Sequence, residues 1–245
     1  MSLFRTIVFA AAVSGLVAGI ALTAIQSVKA IPLVLQAEIY EGLAPASGAA
    51  AQAARHKAAK EKPAAAHAGG QEEEWAPAGG LERSAFTLLA NILIGIGFAL
   101  LICAAFGLRG APDWRGGLIF GLLGFAAIHL APAFGLPPEL PGMRAADVGA
   151  RQLWWAGTSL ATAAGLALIW LNAKPVMKAL GAILIVAPHV IGAPHPQIEG
   201  ASALPAELAA AFVSATLVGN LLFWLLLGTL SAITFHKFQG KGAEL

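Results

Sequence analysis

Apolar runs of membrane-spanning length, separated by short polar or Pro/Gly-dense breaks, make up most of this chain. The first run extends from about Phe4 to Val28, and its apolar stretch, Ile7 to Ile25, exceeds the roughly 7–15 residues of a signal-peptide core. It matches the roughly 20 residues that cross a bilayer, so it predicts a retained transmembrane helix. Past Pro32 a helical pattern resumes through Leu33 to Glu41 and places Glu38 and Glu41, three apart, on one face. Two neighbouring carboxylates repel, and a cation relieves the repulsion; the plain alternative is an acidic helix end in water.

The remaining runs predict five more spans: Leu81–Leu108, Gly116–Phe134, a fourth from the Trp154-Trp155 pair to Asn172, Val176–Ala193 and Glu207–Phe235. Gly15/Gly19 and Gly117/Gly121 are GxxxG pairs, which allow helix backbones to approach closely. Between the first two spans the pattern fails. Residues 42–80 are rich in Ala, Gly and Pro, broken by charged clusters, and predict a mobile linker. The expected organisation is residues 1–41 as a first helix with its extension, 42–80 as linker, and 81–245 as a helical membrane core. The fold class is therefore all-α, a polytopic bundle of about six transmembrane helices.

Composition agrees with that pattern. The 245 residues are 58% hydrophobic and 11% charged, with mean hydropathy +0.75, against about a quarter charged in soluble domains. A net charge of +2, scattered along the chain, gives no footprint for nucleic acid. The lone Cys103 lies in an apolar run, which leaves neither an intrachain disulfide nor a thiolate cluster. No G-x-S-x-G, H-E-x-x-H or P-loop pattern occurs, so the chain reads as neither a hydrolase nor an ATPase.

Basic residues set an orientation. Six spans place Arg5, Arg109, Arg115, Lys174, Lys178, Lys237 and Lys241 on one side, which the positive-inside tendency makes cytoplasmic, with both termini. Five of the six histidines then fall toward the outer side, His236 being the exception. Outer-side candidates for a metal ion are His129, His189, His195, Glu139, Glu38 and Glu41. Imidazole with carboxylate suits divalent cobalt, nickel, zinc or manganese better than cuprous ion. The stretch Pro188-His189-Val190-Ile191-Gly192-Ala193-Pro194-His195-Pro196 carries the strongest signal. Ionisable groups at membrane depth are costly, and prolines there free backbone carbonyls. The plain reading is that each proline ends a helix and each imidazole bonds a nearby carbonyl. If the third and fifth spans adjoin, His129 and His189 face one another, with Glu139 and His195 above them. Two other functions fit the residues: axial ligation of a membrane haem by His129 and His189, or a structural subunit assisting another permease.

The blocks His129 to Gly142, Arg151-Gln152-Leu153-Trp154-Trp155 and Pro188 to Pro196 resemble the CbtA family of cobalt transporter subunits. So do Gln36 to Glu41 and Glu73-Glu74-Trp75-Ala76-Pro77. The resemblance implies cobalt uptake for cobalamin synthesis in a bacterial inner membrane, with cobalt as cargo and no permanently bound cofactor. It also implies a small single-span partner, CbtB, with a histidine-rich tail. Two departures stand out: the linker here holds only His56 and His67, where family linkers are often histidine-rich, and the pattern gives six spans where five are commonly described.

Overall fold

The computed structural model describes residues 2–43, 80–196 and 204–240. The centre of the expected linker, with His56, His67 and Glu72 to Glu74, lies outside the described residues, as does Glu199. So does the side chain of Glu41.

Every regular element among the described residues is helical. We number them α1 (Leu3–Leu43), α2 (Leu81–Arg109), α3 (Trp114–Ala133), α4 (Val148–Leu171), α5 (Pro175–Ile191) and α6 (Ala206–Gly240). Five are long and apolar enough to cross a membrane; α5, at 17 residues, is the shorter apolar helix. The expected break at Pro32 does not occur, and α1 runs through it for 41 residues. A proline in a helix forfeits one backbone bond, and the turns on either side carry α1 past the loss. At about 1.5 Å per residue α1 is roughly 60 Å long, twice the hydrocarbon thickness, so its end extends beyond the bilayer.

Small residues decide how the helices approach. A Cβ on Gly19 would lie 2.6 Å from Ile92 Cα, and one on Gly15 would collide with the backbone of Ile96, so α1 and α2 touch backbone to backbone. Gly117 does the same for α3 against α6, where an added Cβ would sit 2.6 Å from the Gly228 carbonyl oxygen. Both GxxxG pairs thus lie at helix contacts, where lipid supplies no hydrophobic drive and close packing must. Asn91, the polar interruption of α2, donates to Thr23 Oγ1 at 3.0 Å and Gln26 Oε1 at 2.7 Å on α1. Phe106, Phe223, Leu227 and Phe235 fill the centre of this body.

α4 and α5 form a separate hairpin. Gly165 and Gly181 meet at its crossing, where a Cβ on either would lie 2.5–2.6 Å from the other's carbonyl oxygen. The hairpin joins the rest chiefly at the far end of α3. There the helix widens into a π-turn over Ala126–Leu130, with the Ala131 N–H bonded to the Ala126 carbonyl. The end of α5 reaches the same level: His189 contacts Ala131, and Ala193 lies beside Gly135. α5 therefore returns across the depth that α4 descends, and its roughly 25 Å is about a turn short of the hydrocarbon thickness. Gly192 ends it at φ 91°, a conformation open to glycine alone.

Candidate functional site

The π-turn of α3 places His129 one turn before Pro132. Such one-residue widenings re-aim side chains and recur at functional sites. Beyond Ala133 the Pro137-Pro138-Glu139 segment folds back over the helix end, and α4 begins below it with Asp147 as its cap, accepting from the Ala150 N–H at 3.0 Å. One turn into α4, Arg151 pairs with Glu139. Their Nη2–Oε2 distance is 2.7 Å, with side chains 32% and 20% exposed. These groups line a cavity of about 380 Å³ together with Pro132, Gln152, Trp155 and Thr216.

The cavity brings together two of the candidate metal residues, His129 and Glu139. Neither is idle. Trp224 Nε1 donates to His129 Nδ1 at 3.0 Å, and the imidazole stacks on Phe125 with centroids 6.2 Å apart. An indole N–H only donates, so Nδ1 offers its lone pair and the ring proton of neutral His129 sits on Nε2. Coordination through either nitrogen requires that bond to change.

His189 is not among the cavity-lining residues. Its Nδ1 lies 3.0 Å from the Ile185 carbonyl and its Nε2 3.0 Å from the Ala131 carbonyl, tying α5 to the end of α3. Both partners are acceptors. A neutral imidazole donates to one of them, and only the imidazolium donates to both. Trp154 and Phe134 meet its ring edge-on, with centroids 6.0 and 6.3 Å away. The plain expectation, an imidazole bonded to nearby carbonyls, describes His189 in this conformation.

Glu38 pairs with Arg83 at 2.7 Å across α1 and α2, so the cation that answers this carboxylate is a guanidinium. Both side chains are more than a third exposed, where such a pair contributes at most about 1 kcal/mol. His195 is exposed on the segment after α5. No three His, Cys, Asp or Glu side chains converge as a metal-binding group among the described residues. Arg151 and Trp224 are participants that the sequence does not single out. Arg151 stands there only within a family-like block, and nothing along the chain links Trp224 to His129, 95 positions away.

No curated protein and no solved structure matches the chain. A family profile does: that of CbtA, described as a probable cobalt transporter subunit, matches residues 4–236. The match spans all six helices and both proline-rich segments that build the cavity and its neighbour. This multi-pass membrane protein belongs to the CbtA family of probable cobalt transporter subunits.

Proposed function

We propose that this chain takes up a divalent transition-metal ion, cobalt destined for cobalamin synthesis, across a bacterial inner membrane. Both termini are cytoplasmic in this reading, and the cavity at the end of α3 is the outer vestibule. The observation that carries it is the joining of Glu139, Arg151 and His129 around that one cavity. Glu139 is the first carboxylate an entering ion meets. Arg151 holds it while the vestibule is unloaded and gives way when a doubly charged ion competes for the same oxygens. His129 follows as a ligand once Trp224 releases Nδ1. His189, His195, Glu38 and Glu41 are candidate outer-side ligands for the same ion, His189 and Glu38 each needing a lone pair free of its resting partner.

The family's description as a subunit supports a partner, which we take to be the small single-span CbtB-like protein. The test is uptake of radiolabelled cobalt and nickel by cells expressing the chain with and without that partner. Cobalt accumulation that depends on the chain supports the proposal. Equal accumulation in cells lacking it overturns the proposal.

A further inference from the structure

Below the cavity, α4 carries three buried hydroxyls that do not bond back to their own helix, a state shared among the described residues by Thr216 and Ser231 on α6. Thr23, Thr87, Ser214, Thr229 and Thr234 each donate to the carbonyl four residues back, the usual way a hydroxyl is satisfied inside a helix. Thr158, Ser159 and Thr162 are 0%, 4% and 3% exposed, and their oxygens have no hydrogen-bond partner among the described residues. A buried hydroxyl without a partner costs roughly 1–3 kcal/mol, and α4 carries three of them within two turns. Alanine or valine would fill the same space without that cost.

Their placement is specific. At 3.6 residues per turn, Arg151, Thr158, Ser159, Thr162 and Trp170 all lie within about 60° of Trp155 around α4. Arg151 and Trp155 line the cavity, so the hydroxyls continue its wall toward the other face of the membrane. Thr216 on α6, also in the cavity wall, has an equally unpartnered buried Oγ1. At the opposite end of the stripe Trp170 meets Phe120 of α3, with ring centroids 5.9 Å apart.

We propose that this face of α4 is the conduction path of the chain, running from the vestibule past Ser159 and Thr162 to a closure formed by Phe120 and Trp170; Thr158, about 20° from Gly165 around the helix, lies at its margin toward α5. The structure is the closed form, with the hydroxyls buried. When the hairpin moves away from α3, their oxygens take up the hydration shell of a divalent cation, as neutral oxygen donors do for hard and intermediate ions. The inference deepens the metal-uptake reading and rests on it: the chain is itself the pore, not an accessory to one.

Water-soluble thiol reagents test it. The chain is expressed with its small partner in cells, with Cys103→Ala as background, and Ser159→Cys, Thr162→Cys and the back-bonded control Thr229→Cys are exposed to a membrane-impermeant methanethiosulfonate cation. Gln152→Cys on the cavity wall reports an open vestibule. Ser159→Cys and Thr162→Cys should react at least ~10-fold faster than Thr229→Cys, and cobalt should slow them. If both stay as inert as Thr229→Cys in cells that take up cobalt, the path is overturned and the uptake reading stands. If both react but cobalt neither protects nor enters the cells, the water-filled path stands and the metal reading falls. As a check independent of thiol chemistry, the near-isosteric pair Ser159→Ala with Thr162→Val should lower cobalt uptake about 10-fold at unchanged membrane level. Unchanged uptake would assign the hydroxyls to packing and overturn the proposal.

Discussion

Trp224 Nε1 donates to His129 Nδ1 at 3.0 Å, and this one bond decides which imidazole nitrogen carries the proton. Trp224 is 3% exposed and His129 belongs to the cavity wall, so the bond links the body's core to the cavity. Removing the donor should therefore act on metal affinity as well as on stability.

Trp224→Phe keeps an aromatic ring in the core and releases Nδ1. The lost hydrogen bond costs about 1 kcal/mol. Uptake at limiting cobalt should hold or rise, because His129 no longer has to exchange a partner before ligating. His129→Ala should instead abolish most uptake with the protein still in the membrane. Radiolabelled cobalt uptake, normalised to membrane content, measures both. Equal losses in the two variants would make the pair a packing feature.

The Arg151–Glu139 pair makes a second prediction. Both side chains are partly buried, and removing one partner leaves the other charge uncompensated in a poorly solvated place. Glu139→Gln should cost about 1–3 kcal/mol, less than a fully buried pair because of the residual exposure, and should lower cobalt uptake about 10-fold. Arg151→Gln should destabilise to a similar extent yet leave Glu139 free to capture the ion, so its apparent cobalt affinity should improve. Thermal denaturation in detergent with cobalt titration separates the effects. Identical affinities in the two variants would count against Glu139 as the entry carboxylate.

The helices were legible in the chain because membrane spans announce themselves by length and apolarity, and both GxxxG pairs lie at the contacts they predict. The extension past Pro32 was legible too, though its continuity with α1 was not, since neighbouring turns carry a helix across one missing bond. The site was readable only in part. Its residue types follow from the sequence, and the nearness of His129 and Glu139 follows from the short proline-rich turn between them. The partners do not: Trp224, Arg83 and the Ala131 carbonyl are set by which helix faces meet. Spacing says nothing about that.

The hairpin crossing predicts a sharp contrast between two glycines of α4. An added Cβ at Gly165 would lie 2.5 Å from the Gly181 carbonyl oxygen, whereas one at Gly157 would meet nothing within 4 Å. Gly157→Ala should be silent or stabilise the helix by roughly 0.5–1 kcal/mol. Gly165→Val forces α4 and α5 apart, and overpacking of this kind costs roughly 1–3 kcal/mol. Uptake should fall with it, since the hairpin also places Arg151 and His189. Melting temperatures of the two purified variants decide the matter, and similar values would mean the crossing is looser than the backbone contact requires.

Orientation is the last prediction, and it fixes which way the cavity opens. Arg109, Arg115, Lys174, Lys178 and Lys237 gather at the end of the bundle away from the cavity, where the loops after α2 and α4 lie. His236 Nε2 lies 2.9 Å from the Pro112 carbonyl at that end, so the terminus of α6 and the α2–α3 loop share one side. Basic residues beside spans favour the cytoplasm. Because α5 returns to the level of Ala131, Met143 and His195 must lie on the side opposite Asn172. In intact cells of the Cys103→Ala background, Met143→Cys and His195→Cys should react with an impermeant maleimide, and Asn172→Cys only after permeabilisation. The reverse pattern would turn the vestibule toward the cytoplasm and recast uptake as export. Opposite sidedness for Met143→Cys and His195→Cys would instead show that α5 does not cross the membrane.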